Sequence, residues 1–187
     1  MKVIAFTGMP FSGKSEAVHI ANKMDIPIIR MGDLVWDEVK NRGLPLNDTT
    51  VGRIASDMRK KYGNDIWAQK TMQKMTSLSD ASVVIIDGVR NHEEIKTFKK
   101  ILGKDFVLVA ITVNDNIRFE RALKRKRVDD STNPKKIKER DKRELSWGLQ
   151  TAIQSADIII SNNESLQNFQ KKVEKIMLSL IQDHAKR

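Results

Sequence analysis

Gly8-Met9-Pro10-Phe11-Ser12-Gly13-Lys14-Ser15 decides how this chain is read. The stretch fits G-x-x-x-x-G-K-[ST] at every fixed position. It lies between the apolar run Val3-Ile4-Ala5-Phe6 and a helix-permissive segment from Ser15 to Met24. Strand, glycine loop and helix in that order make a phosphate site, because the two glycines let successive backbone N–H groups turn inward where a Cβ would crowd them. The helix starting near Gly13 aims the positive end of its dipole at the same anion. Lys14 is expected to reach the β- and γ-phosphates of ATP, and the Ser15 hydroxyl to ligate Mg²⁺. All eight residues from Gly8 to Ser15 are candidate ATP contacts.

Composition narrows the class. A length of 187 residues suits one domain with a sizeable core, and 40% hydrophobic with 31% charged residues reads as soluble and globular. The longest apolar stretches run five to eight residues, too short to cross a bilayer. Met1-Lys2 leads straight into the first apolar run, so no signal peptide is expected. With no cysteine, disulfides and thiolate metal sites are excluded, and a cytoplasmic setting is expected. His19, His92 and His184 show no paired spacing, so no histidine metal centre is expected.

The net charge of +10 is concentrated. Between Arg118 and Arg143 stand twelve Lys or Arg against five Asp or Glu. Such a block grips the phosphate of a small molecule, faces a nucleic-acid backbone, or forms a solvated helix face. Composition alone leaves all three open.

Five apolar runs, Lys2–Thr7, Ile26–Arg30, Ser82–Asp87, Phe106–Val113 and Asp157–Ser161, are rich in Val and Ile without polar alternation. That is the character of strands buried on both faces of a parallel sheet. The polar segments between them carry helical spacing, which gives the βαβ rhythm of a three-layer α/β domain. The gap from Arg30 to Ser82 is too long for one crossover, so two or three helices are expected over the carboxyl edge of the sheet. Breaks fall at Asn41-Arg42-Gly43-Leu44-Pro45 and at Tyr62-Gly63-Asn64. A last helix is predicted from about Glu164 to Asp183, with Leu166, Phe169, Val173, Ile176, Met177 and Leu180 on its core face.

Ser82-Val83-Val84-Ile85-Ile86-Asp87 ends an apolar strand on an acid, where proteins with this loop hold Mg²⁺, usually through water. Asp87-Gly88-Val89-Arg90 resembles the Asp-Gly-Phe-Pro-Arg motif of nucleoside monophosphate kinases, shortened by one residue. In that family the arginine binds the acceptor phosphate. Met31-Gly32-Asp33-Leu34 resembles the Gly-Asp-Leu segment that opens the family's acceptor helices, and Arg121 and Arg125 match the R-x-x-x-R at the base of its lid. Arg127-Val128-Asp129-Asp130 is similar to the lid element Arg-x-Asp-Asp, with Arg140 and Arg143 on the helix that follows. The chain also resembles dephospho-coenzyme A kinases, through Asp33 and through the ending Ala156-Asp157-Ile158-Ile159-Ile160-Ser161-Asn162. It also resembles archaeal proteins described as adenylate-kinase-related or dephospho-coenzyme-A-kinase-like, with Arg140-Asp141-x-Arg143-Glu144-Leu145 as their marker. The chain departs from these kinases in lacking the proline of the Asp-Gly motif, in a short lid without zinc cysteines, and in an acceptor region that does not match adenylate kinases residue by residue.

The resemblance implies a three-layer P-loop fold with a five-stranded parallel sheet in the order 2-3-1-4-5. It also implies one kinase domain over 1–187, with a helical acceptor-binding part at about 31–80 and a short basic lid at about 118–147. The implied function is transfer of the ATP γ-phosphoryl group, with Mg²⁺, to a nucleoside monophosphate or dephospho-coenzyme A. Lys14, Arg121, Arg125 and Asp33 are the catalytic candidates. Asp33, Arg90, Arg127, Arg140 and Arg143 are acceptor contacts, and Ser15 with Asp87 holds the metal. Arg118, Arg121 and Arg125 fall on one helix face, from which at least one is expected to meet phosphate. Packing is expected for Trp36, while Trp67 and Trp147 fit either packing or base stacking. Asp33 reads equally as a helix cap and as a base for an acceptor hydroxyl. The rival functions are a nucleotide switch or ATPase acting on RNA, with the basic block as its surface, and nucleotide binding without turnover. No membrane partner is expected, and the oligomeric state is expected to be monomer or small homo-oligomer.

Overall fold

A computed structural model describes residues 1–124 and 133–186. Its centre is a parallel sheet of β1 (Lys2–Thr7), β2 (Ile28–Arg30), β3 (Val83–Asp87), β4 (Phe106–Thr112) and β5 (Ile158–Ser161), in the order β2-β3-β1-β4-β5. All five expected runs are strands and the order is the expected one. The second strand is shorter than its apolar run: Pro27 has no N–H to donate, and its carbonyl opens the pairing by accepting from Ile85.

Alternation along the strands divides the core into two layers. Val3, Ala5, Val84, Ile86 and Leu108 point to one side. There they meet α2 (Met31–Asn41), α3 (Asp48–Tyr62), α4 (Ile66–Met75), α5 (His92–Leu102) and the short α8 (Leu149–Gln154). Ile4, Phe6, Ile85, Val109 and Ile111 point to the other, against α1 (Lys14–Lys23) and α9 (Leu166–Ala185). Between β4 and β5 the chain also forms α6 (Asp115–Lys124) and α7 (Pro134–Ser146). No helix of the described residues is long and apolar enough to cross a membrane.

Local chemistry sets the helix ends. Asn47, Asn91 and Ser165 accept from the backbone N–H groups of Thr50, Glu94 and Asn168, and so cap α3, α5 and α9. Pro134 opens α7 where its missing N–H costs nothing. Both sequence breaks fall between helices, α3 giving out at Gly63 with φ 102. Leu166 departs from its expected core position. It is 57% exposed, because as the first residue of α9 it borders an open cavity and not the core.

Phe98 of α5 is fully buried and stacks on Phe106 with ring centroids 5.3 Å apart. Phe98→Ala is expected to lower the unfolding free energy by about 3–5 kcal/mol, measured by urea denaturation. The exposed Lys100→Ala on the same helix should change it by less than about 0.5 kcal/mol. A loss at Phe98 no larger than the Lys100 control would contradict this packing.

Candidate functional site

The register brings the carboxyl ends of the strands to one edge. Phe6 of β1 pairs with Asp87 of β3, which pairs in turn with Arg30 of β2. The Phe6 carbonyl accepts from both Gly88 and Val89, so the Asp-Gly segment and the glycine loop leave the sheet side by side.

The loop is tight for identifiable reasons. Gly8 has φ 146 and Gly13 φ 110. A Cβ on Gly8 would run into the Ile111 carbonyl, and one on Gly13 into the Asn162 side chain. Phe11 adopts φ 64 without being glycine, a strain of about 1–2 kcal/mol for an L-residue. The Lys14 ammonium folds over the loop and donates to the carbonyls of Gly8 (2.6 Å) and Met9 (2.9 Å). Burial pushes its pKa down to about 8. Arg90 and Arg140 add to that, while Asp87 and Glu144 oppose it.

A cavity of about 440 Å³ opens in front of the loop. Pro10, Phe11, Gly13, Lys14, Ser15, Asp33, Asp87, Arg90, Arg121, Arg140 and Arg143 all line it, so most of the sequence candidates converge there. Gly8 and Ser12 are buried in the loop's own backbone. Arg125 and Arg127 lie outside the described residues.

The arginines arrive with partners. Arg90 donates from Nε to Glu144 (3.0 Å) and from Nη1 to the Gly88 carbonyl (2.7 Å). Arg140 donates to Glu144 (3.2 Å), and Arg143 to Asp48 (2.7 Å). The Arg143 guanidinium lies on α3 where residue 52 is glycine and a Cβ would collide with it. Arg121 donates to the Asn162 carbonyl (3.1 Å), and Asn162 in turn donates to the Ser12 carbonyl (2.8 Å), joining loop and arginine. Of the three arginines expected on one helix face, Arg121 lines the cavity and Arg118 does not. Arg118 is 3% exposed and turns inward to Asp115 and Asp141, because its neighbours on that side are acids and not solvent. Trp67 packs in the core, whereas Trp36 is half-buried on the cavity wall and not in the interior.

Several members of the site were not singled out from sequence. Arg59 is buried on α3, pairs with Glu94 (2.9 Å), and stacks its guanidinium 4.4 Å from the Trp147 ring centroid. Glu94 also accepts from the Arg90 backbone N–H (2.7 Å), which ties the two arginines together. The signal was there: an arginine inside the apolar stripe Ala55, Met58, Arg59 needs a buried acid. Glu144 lies in the quoted marker, but its inward turn depends on α7 packing beside the loop. Burial alone would raise its pKa. Arg90, Arg140 and Lys14 outweigh that and hold it well below the usual carboxylate range.

Among the described residues no three His, Cys, Asp or Glu gather as a protein-only metal cage. A divalent ion carried by phosphate oxygens needs less than a cage. Asp87 has a buried Oδ1 with no hydrogen-bond partner among the described residues, and Ser15 exposes its hydroxyl to the same cavity. That donor set fits such an ion.

A family described as an AAA domain matches residues 7–138. A UPF0200 protein of Methanosarcina acetivorans is 40% identical over 187 residues, covering all of both chains. A UPF0200/UPF0201 protein of Archaeoglobus fulgidus is 44% identical over 181 residues, 96% of this chain and 56% of that protein. The chain belongs to the archaeal UPF0200 family. Its fold is that of P-loop kinases. A gluconokinase from Sinorhizobium meliloti superposes with a TM-score of 0.59 at 14% identity, over 97% of this chain and 94% of its own. A shikimate kinase from Aquifex aeolicus gives 0.52 at 20% identity, over 98% of each. At such identities the likeness is one of fold.

Lys14 in the UPF0200 chain is expected to titrate near pH 8, followed through its ε-carbon by NMR. Its charge is present below that pH and lost above it. Removing the attraction of Asp87 by Asp87→Asn should lower the midpoint further. A Lys14 midpoint above pH 10 would contradict the burial described.

Proposed function

We propose that this chain is an ATP-dependent phosphotransferase that moves the γ-phosphoryl group to a small phosphorylated metabolite, a nucleoside monophosphate or dephospho-coenzyme A. One observation carries the reading. Lys14, at the mouth of the glycine loop, shares one cavity with Asp87, Arg90, Arg140 and Arg143. Three guanidinium groups beside a single phosphate loop suit a second anion, such as an acceptor phosphate, next to the nucleotide.

In this reading the loop from Gly8 to Ser15 binds the ATP phosphates through its N–H groups, and Lys14 leaves the Gly8 and Met9 carbonyls for the β- and γ-phosphates. Ser15 and Asp87 hold Mg²⁺, which supplies neutralisation of phosphate charge. An acceptor oxygen attacks the γ-phosphorus, a new P–O bond forms, and the bond to the β-phosphate oxygen breaks. Arg121 and Arg125 stabilise the charge on the transferred group, and Arg90, Arg140 and Arg143 orient the acceptor anion. Asp33 takes a proton only if the acceptor atom is a hydroxyl. A phosphate acceptor is already anionic. The helical region at about 31–80 is the acceptor-binding part.

The likeness of fold to enzymes named shikimate kinase and gluconokinase supports phosphoryl transfer as the class. The rival, an ATPase acting on RNA, draws on Lys135, Lys136 and Lys138, which are exposed on α7.

A coupled assay of ATP with AMP, CMP, UMP, GMP, dTMP and dephospho-coenzyme A tests the proposal. Turnover with at least one is expected. Lys14→Ala should abolish it, and Arg121→Ala or Arg90→Ala should reduce it by about tenfold or more. If none turns over, and RNA-stimulated hydrolysis is lost on changing the three lysines to Ala, the RNA reading replaces this one.

A further inference from the structure

Two non-glycine residues among those described adopt positive φ: Asp25 after α1, and Phe11 inside the glycine loop. Asp is tolerated there, but a bulky aromatic side chain is not, and glycine at position 11 would take the same turn without strain. Such strain persists only where the surroundings over-determine it. Here the surroundings are specific. The Phe11 ring is buried with Ala122 of α6 and Ile137 of α7, with Phe119 packed alongside. The Arg140 guanidinium stands 5.8 Å from its centroid.

A polar tie runs beside the apolar one. Arg118 donates to the Pro10 carbonyl (3.4 Å) and to Asp141 (2.9 Å), closing a second contact to Asp141 at 2.8 Å. The apex of the loop is thus fastened at neighbouring residues to the turn of α7 whose other side chains, Arg140, Arg143 and Glu144, line the cavity. Phosphate recognition by backbone N–H groups does not call for an aromatic ring at this position. Fastening the loop to a helix does.

We propose that Phe11 is a positioning residue that locks the phosphate loop to α7, so that nucleotide affinity at the loop depends on where that turn of α7 sits. The proposal rests on the loop being a nucleotide site. It adds that the wall bearing Arg140 and Arg143 is coupled to the loop mechanically, through Phe11 and Ile137. By linkage, whatever engages one side shifts affinity at the other by the same factor.

The test is a double-mutant cycle read by calorimetric titration of MgADP into the full chain. Ile137→Ala, which removes the packing partner without touching the loop, is expected to weaken MgADP by about fivefold, the scale of coupling between residues in contact. Phe11→Gly should weaken it by at least as much, and Ile137→Ala added to Phe11→Gly should cost less than about twofold more. Phe11→Leu keeps an apolar group on Ala122 and Ile137 and should fall between. Thermal unfolding of each variant separates loss of affinity from loss of fold. If Phe11→Gly does not fold, the cycle is run with Phe11→Leu. Phe11→Gly binding as tightly as wild type, or two losses that simply multiply, would overturn the coupling and leave the nucleotide reading standing. Wild type that fails to bind MgADP would remove both.

Discussion

Guanidinium groups gather around one cavity only if anions are built in among them, because each unpaired cation there would carry an uncompensated desolvation cost. Three carboxylates meet this demand. Glu94 binds Arg59 and the Arg90 backbone, Glu144 takes Arg90 and Arg140, and Asp48 takes Arg143. Each joins parts of the chain distant in sequence, so the network also fixes α3, α5 and α7 against one another. Glu144 is the most exposed to this logic. Its pKa is depressed in the fold, so its stabilising contribution is present above the ordinary glutamate range and fades as the pH falls through and below it.

The glycine loop depends on the same principle with backbone groups in place of side chains. Its carbonyls are engaged by side chains: Gly8 and Met9 by Lys14, Pro10 by Arg118, Ser12 by Asn162. The loop is therefore held from the start of α1, from the turn after β5 and from α6 at once. A loop fastened in this way keeps its backbone shape set before any ligand arrives.

Between these two systems runs a division of labour. The loop side is set by the glycine-containing turn between β1 and α1. The rest of the cavity lining, with Trp36, Arg59 and Trp147 beside the paired arginines, combines apolar and cationic surface. Glycine geometry constrains the first strongly, whereas the second follows only from how helices happen to pack.

The sequence by itself determined the loop, the five strands and the breaks between helices. Each is a local matter: glycine at positive φ, apolar residues without alternation, proline without a donor. It also placed Asp87 and Arg90 at the carboxyl edge of the sheet, because strand ends in a parallel sheet converge, whereas Arg140 and Arg143 on α7 were suggested by family resemblance and brought there by helix packing. The tertiary structure alone decided which cations keep their charge for a ligand and which are consumed internally. Arg118 and Arg121 stand three residues apart on α6 and look alike in sequence, yet one is buried against Asp115 and Asp141 and the other reaches the cavity. The partners of Arg59, Arg90 and Arg143 lie 35 to 95 residues away. No local pattern encodes such pairings, because they arise only when burial makes an unpaired charge too costly to leave.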